Sequence, residues 1–129
     1  MEQVNKTALI TGAAKGIGKA VALAFAKEGY NIVINYNGSK EAALNTQQEI
    51  EALGVKTLVV QADVSNEDQV KTMVEKSIET FERIDVLVNN SGINKDGLML
   101  RMSYEAFHKV IAVNLEGTFN CIKHVSRIM

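Results

Sequence analysis

Four short apolar runs recur at near-regular spacing along the chain: Thr7 to Thr11, Asn31 to Asn35, Lys56 to Gln61 and Asp85 to Asn89. Their centres, Ala-Leu-Ile, Ile-Val-Ile, Leu-Val-Val and Val-Leu-Val, are continuous and do not alternate with polar residues. Continuous apolar strands suit a parallel sheet covered on both faces, whereas a half-solvated strand shows a period of two. Each run is followed by a stretch with helical period. The first helix is expected from about Gly16 to Glu28, with Ile17, Val21, Ala24 and Phe25 inward and Gly29 as its stop. Ser39 can cap a second helix that ends at Leu53, before Gly54. A third begins with Ser65 as cap and Asp68 three residues on, and carries Val70, Met73, Val74, Ser77, Ile78 and Phe81 on one stripe. Ser103 can cap a fourth, on which Phe107, Val110, Ile111, Leu115, Phe119 and Ile122 form one face. Four β-α units in one chain predict an α/β fold: right-handed crossovers and a parallel sheet with helices on both sides.

Composition fits a single globular domain. The chain has 129 residues, 47% of them hydrophobic, with 14 basic and 15 acidic side chains and no proline or tryptophan. That length buries roughly two thirds of the unfolded surface, enough for a core without disulfides or metal. The lone Cys121 has no intrachain partner, and no cationic stretch followed by a long apolar run opens the chain. A cytoplasmic protein is therefore expected. No apolar segment approaches the roughly 20 residues that span a bilayer, so no membrane span is expected. A net charge of -1 gives no general attraction to nucleic acid. His108 and His124 lie sixteen apart with no ligand-spaced acid or cysteine, which disfavours a metal site.

Directly after the first strand comes Thr11-Gly12-Ala13-Ala14-Lys15-Gly16-Ile17-Gly18, opening a helix. A loop in this place aims free backbone N–H groups and the positive helix end at a phosphate, and its glycines permit close approach. The spacing G-x-x-x-G-x-G is neither the G-x-G-x-x-G fingerprint nor a P-loop. Its position between first strand and first helix is what points to a nucleotide, in a Rossmann-type doubly wound sheet of order 3-2-1-4. An acid after the second strand would hold ribose hydroxyls. Here that segment reads Asn35-Tyr36-Asn37-Gly38-Ser39-Lys40, and Lys15 adds positive charge inside the loop, which favours NADPH over NADH. Tyr36 and Lys40 have Tyr-x-x-x-Lys spacing but fall in a turn, where that spacing does not put two side chains on one helical face. Asp63 at the end of the third strand resembles a receiver phosphoacceptor, but such a fold also needs an acidic pair where the glycine loop stands. Asn114 falls on the expected apolar stripe of the fourth helix, where its amide must be satisfied, either by helix packing or in a functional role.

Thr11-Gly12-x-x-x-Gly16-Ile17-Gly18, Asp63-Val64, Asn89-Asn90-Ser91-Gly92 and Asn114, in that order, resemble the short-chain dehydrogenase/reductase family. The runs Gly92 to Met102 and Val113 to Asn120 resemble more narrowly the N-terminal half of its bacterial 3-oxoacyl-[acyl-carrier-protein] reductases. The resemblance implies that Gly12, Ala13, Ala14, Lys15 and Ile17 contact the phosphates of NADPH or NADP, Asn37 the adenosine end, and Asp63 and Val64 the adenine. It implies that Asn90, Ser91 and Gly92 lie along the nicotinamide ribose, with Ser91 replacing the usual alanine, and that Asn89 ties strands together. Asn114 would hold a water in a catalytic proton relay. The implied substrate is linked to acyl carrier protein, and the helix from Ser103 to Met129 would join copies into a homo-oligomer. The family's catalytic serine, tyrosine and lysine follow a fifth strand, which is expected to lie beyond Met129, leaving the chain inactive alone and Val86 to Val88 as an open apolar edge. The cluster Leu98, Met99, Leu100 and Met102 could line an acyl channel, core or an oligomer surface.

Overall fold

A computed structural model describes residues 5–91, 103–105, 108 and 112–129. Gly92, the Leu98 to Met102 cluster, and Phe107, Val110 and Ile111 lie outside these residues. The chain runs β1 (Thr7–Ile10), α1 (Gly16–Lys27), β2 (Asn31–Tyr36), α2 (Lys40–Glu51), β3 (Thr57–Gln61), α3 (Glu67–Phe81) and β4 (Val86–Val88). A π-helical segment (Ala112–Glu116) then leads into α4 (Gly117–Ser126). All strand pairs are parallel and the order is β3-β2-β1-β4, as the doubly wound reading expects.

The continuous apolar runs are explained by the two layers that cover the sheet. Ala8, Ile10, Ile32 and Ile34 point to one face, where Ala22 and Ala26 of α1 and Ala43 and Ile50 of α2 meet them. Leu9, Val33 and Val60 point to the other, against Val70, Met73, Val74 and Phe81 of α3 and Cys121 and Val125 of α4. Leu9, Ile10, Ile32 and Ile34 are fully buried, each burial stabilising by about 1.5–3 kcal/mol. At the amino end of the sheet, Thr7 N–H donates to the Asp85 carboxylate and Asp85 N–H donates to Thr7 C=O, each at 2.8 Å. Arg83 also reaches Asp85 at 2.6 Å, and that guanidinium, helped by the Thr7 N–H, holds the carboxyl below its ordinary pKa against the opposing effect of burial.

Several local expectations are corrected. In α1 the buried positions are Gly18, Ala22 and Ala26, while Ile17 is 76% exposed and Ala24 is exposed. Small residues at i, i+4 and i+8 let the helix axis approach the sheet more closely than a stripe of large residues would, so backbone proximity decides the face. The cap of α3 is Asn66, whose side chain accepts from Gln69 N–H at 3.1 Å; Ser65 instead donates its hydroxyl to Asp63 at 2.6 Å. Ser39 does cap α2, accepting from Ala42 N–H, but that helix ends at Glu51 and turns through Gly54 at φ +93°. Gly29, at φ +90°, stops α1 as expected.

The largest correction falls on the fourth helix. Residues Ala112–Glu116 are π-helical, and i→i+5 bonding there turns the residues after them out of the phase of a regular α-helix. Gly117, Asn120, Cys121, His124 and Val125 therefore face the fold. Leu115, Phe119 and Ile122, expected inward, are 64%, 63% and 51% exposed. Gly117 fixes this choice: a Cβ there would collide with Val64 Cγ2 and lie 3.1 Å from Val64 Cβ. Only a glycine lets α4 pass this close to the segment after β3.

Candidate functional site

In open α/β sheets a ligand binds beyond the carboxyl ends of the strands, where the strand order reverses. Here that point lies between β1 and β4, and the segment Thr11 to Lys15 sits on it. Gly12 and Gly16 have φ of +60° and +63°, a left-handed backbone that favours glycine. A Cβ on Gly18 would overlap Gly12 O and lie 2.5 Å from Asn90 Nδ2, so glycine also sets how closely α1 packs on the loop. Lys15 stands exposed just before α1 in extended backbone, and its side chain makes no capping bond to the helix. The first N–H groups of α1 have no intrahelical acceptor and face this cleft's end of the sheet.

Thr11 joins the two strands that flank the cleft. Its buried Oγ1 accepts from Asn90 N–H and Ser91 N–H, each at 2.9 Å, and its N–H donates to Val88 C=O at 3.0 Å. Asn90 Nδ2 returns a bond to Gly12 C=O at 3.1 Å. Asn90 thus ties the strands together, while Asn89 is exposed. Ala14 C=O accepts from the buried Thr46 hydroxyl at 2.7 Å, anchoring the loop to α2, and Lys19 pairs with Glu49 between the two helices.

Asn35 is the residue that sequence reasoning passed over. It is 1% exposed at the end of β2. Its Oδ1 accepts from Gly12 N–H at 3.2 Å and lies 3.5 Å from the Ser91 hydroxyl, and its Nδ2 donates to Ala62 C=O at 3.2 Å and Val60 C=O at 3.4 Å. Its own carbonyl accepts from Ala13 N–H at 2.9 Å. The signal was present: an amide interrupts an otherwise apolar strand, and a buried amide must be satisfied.

The remaining expected residues fall around the same end of the sheet. Asn37 is exposed after β2, with Oδ1 accepting from Gln61 Nε2 at 2.9 Å. Asp63 is half-buried; one carboxylate oxygen accepts from Ser65 N–H and hydroxyl, and its N–H donates to Gln69 at 2.8 Å. Val64 is buried, and its carbonyl accepts from the buried Asn120 at 2.9 Å. That contact ties the segment after β3 to α4, and Glu67 adds Lys123 at 2.8 Å and His124 at 3.2 Å. Lys123 first, and His124 next, lower the Glu67 pKa. Asn114 lies in the π-helical segment and is exposed, contrary to the expectation of a place on a buried stripe, because the widened turn carries it out of that phase. Its carbonyl accepts from the Thr118 hydroxyl at 3.0 Å. Tyr36 ends β2 and Lys40 opens α2, so their four-residue spacing joins no common face.

The family of short chain dehydrogenases matches residues 6–129. A 3-oxoacyl-[acyl-carrier-protein] reductase FabG of Staphylococcus epidermidis is 48% identical over 123 residues, covering 95% of this chain and 50% of the relative. A 3-oxoacyl-[acyl-carrier-protein] reductase of Synechocystis is 48% identical over 124 residues, covering 96% and 50%. Glucose 1-dehydrogenase 2 of Bacillus subtilis is 44% identical over 116 residues, covering 89% and 45%. The chain spans about half the length of these curated relatives.

Proposed function

Because this chain belongs to the short chain dehydrogenase family, we propose that it forms the cofactor-binding part of an NADPH-dependent reductase of 3-oxoacyl groups carried on acyl carrier protein. The observation that carries this reading is the near-complete coverage of the chain, at 48% identity, by two reductases of that name. The cleft fits a dinucleotide. Gly16, where a Cβ would meet nothing within 4 Å, leaves the front of the loop open, and the α1 end supplies N–H groups without intrahelical acceptors for a pyrophosphate. When bound, the nicotinamide supplies a hydride.

Lys15 stands at the phosphate end, and the segment after β2 offers Asn37, Gly38, Ser39 and Lys40 without an acid, a donor set that suits a 2′-phosphate better than a ribose diol. Asp63 and Val64 border the adenine, and Asn90 and Ser91 the nicotinamide ribose. Asn114 acts in proton delivery from the π-helical segment, a distortion that recurs at functional sites. The exposed stripe of Leu115, Phe119 and Ile122 is the surface on which copies pair into a homo-oligomer. A cytoplasmic location accords with a single cysteine held as a buried free thiol.

Titration with NADPH and NADH, followed by cofactor fluorescence, tests the cofactor reading. Lys15→Ala is expected to lose about tenfold or more in NADPH affinity with little change for NADH. An unchanged preference would overturn the role of Lys15. The similarity to a glucose dehydrogenase supports a second reading, a sugar or alcohol substrate. Turnover of acetoacetyl thioesters against glucose by the protein separates the two.

A further inference from the structure

Two N–H groups of the phosphate loop are not available to a ligand. Gly12 N–H is taken by the Asn35 side chain and Ala13 N–H by the Asn35 carbonyl. We infer that Asn35 is the positioning residue of the loop: it occupies these two donors, fixes the loop against β3 and Ser91, and so leaves the α1 end as the set of N–H groups offered to a pyrophosphate. This rests on the dinucleotide reading given above.

An amide is the group this position needs. One end must accept, from Gly12 N–H and the Ser91 hydroxyl, and the other must donate, to the carbonyls of Val60 and Ala62. The further contact of Nδ2 with Tyr36 C=O, at 3.5 Å, is of the same kind. Every partner is neutral. A carboxylate would keep the accepting end but turn a negative oxygen toward the carbonyls, beneath the place where phosphates bind. An aliphatic side chain would release Gly12 N–H and strand two carbonyls. Asn35 therefore sets the electrostatics and the donor geometry of the loop together, without itself touching the cofactor.

Two measurements test this. In the unliganded wild-type chain, amide exchange by NMR should find Gly12 and Ala13 already protected, and NADP should shift and protect Ile17 and Gly18 more than Gly12. Gly12 exchanging freely until NADP is added would overturn the inference without any variant. Failure of NADP to bind at all would overturn the dinucleotide reading beneath it, while Gly12 protection would still report on the Asn35 bond. The second measurement is NADP affinity of Asn35→Asp from pH 5.5 to 8, each value relative to wild type at the same pH, with thermal midpoints in parallel. Burial raises a carboxyl pKa into this range. The protonated form regains one donor, so relative affinity should fall about tenfold or more as pH rises. A folded Asn35→Asp chain with relative affinity constant within about twofold across the range would refute the positioning role.

Discussion

Replacing Gly18 by alanine separates two physical expectations of opposite sign. By helix propensity alone, a glycine inside α1 costs about 1 kcal/mol relative to alanine, so the substitution should stabilise. The structure demands the reverse. The new Cβ would overlap Gly12 O and sit 2.5 Å from Asn90 Nδ2 and 2.9 Å from the Gly12 carbonyl carbon. Relieving these contacts requires α1 and the loop to separate by about 1 Å, a core overpacking that costs about 1–3 kcal/mol. The separation also breaks the 3.1 Å bond from Asn90 to Gly12 C=O, worth about 1 kcal/mol more. After the propensity gain is subtracted, Gly18→Ala should lose about 1–3 kcal/mol, or about 4–12 °C in thermal midpoint for a chain of this size. Gly16→Ala is the control: its Cβ meets nothing within 4 Å, and the cost is confined to placing alanine at φ +63°, about 1 kcal/mol. Urea denaturation of the three proteins, with NADP affinity measured alongside, gives the comparison. A Gly18→Ala protein as stable as wild type, or more stable, would show that α1 does not pack on the loop as described.

Three further outcomes follow from buried groups elsewhere. Thr7 is fully buried and its hydroxyl has no hydrogen-bond partner among the described residues, so Thr7→Val should raise stability by about 1 kcal/mol in urea denaturation; a lower midpoint would imply a partner for that hydroxyl. Asn120→Ala leaves the Val64 carbonyl buried without its donor and should cost about 1–3 kcal/mol, with NADP binding weakened through the Asp63-Val64 segment; unchanged stability and affinity together would dismiss that tie. Burial pushes the Cys121 thiol up to about 11 from 9.0. A raised acid pKa favours the neutral form in the folded state, so this contribution is complete below pH 9 and falls by about 1.4 kcal/mol per pH unit from there until about pH 11. Stability of Cys121→Ala and wild type should converge over that interval, and iodoacetamide should modify the wild-type thiol only on unfolding. Rapid labelling of the native protein at pH 8 would contradict it.

The sheet was readable from sequence because each strand's apolar run is long enough to fill both faces, and the β-α alternation leaves few ways to connect parallel strands. The strand order 3-2-1-4 rested in addition on the glycine loop between β1 and α1 and on the doubly wound fold to which that loop points. What was not readable depends on close approach between backbones. Periodicity put Ile17 inside and Gly18 nowhere in particular, because a hydrophobicity pattern weighs side chains and not the space their absence opens. The same blindness misplaced α4. Its sequence offers two stripes, Leu115-Phe119-Ile122 and Cys121-Val125 with Gly117, and the larger side chains attracted the inward assignment. The π-helical turn and the contact of Gly117 with Val64 decide for the other. Site residues were legible to the extent that a motif carries them. Asn35 lies outside the motifs, and its importance arises only when four strand ends meet around one amide.

The pairing of β1 with β4 also orders events in time. Thr11 can engage Asn90 and Ser91, and Thr7 can engage Asp85, only after the chain has closed a loop of more than seventy residues. Contacts that distant in sequence form late, since loop-closure entropy must be met before they contribute. The glycine loop therefore acquires its final shape only when β4, distant from it in sequence, docks. A nascent chain ending before Val86 would hold β1, β2 and β3 side by side and still lack half of the cradle. Nucleotide competence thus reports the docking of β4, and binding should select chains that have completed it over those still folding.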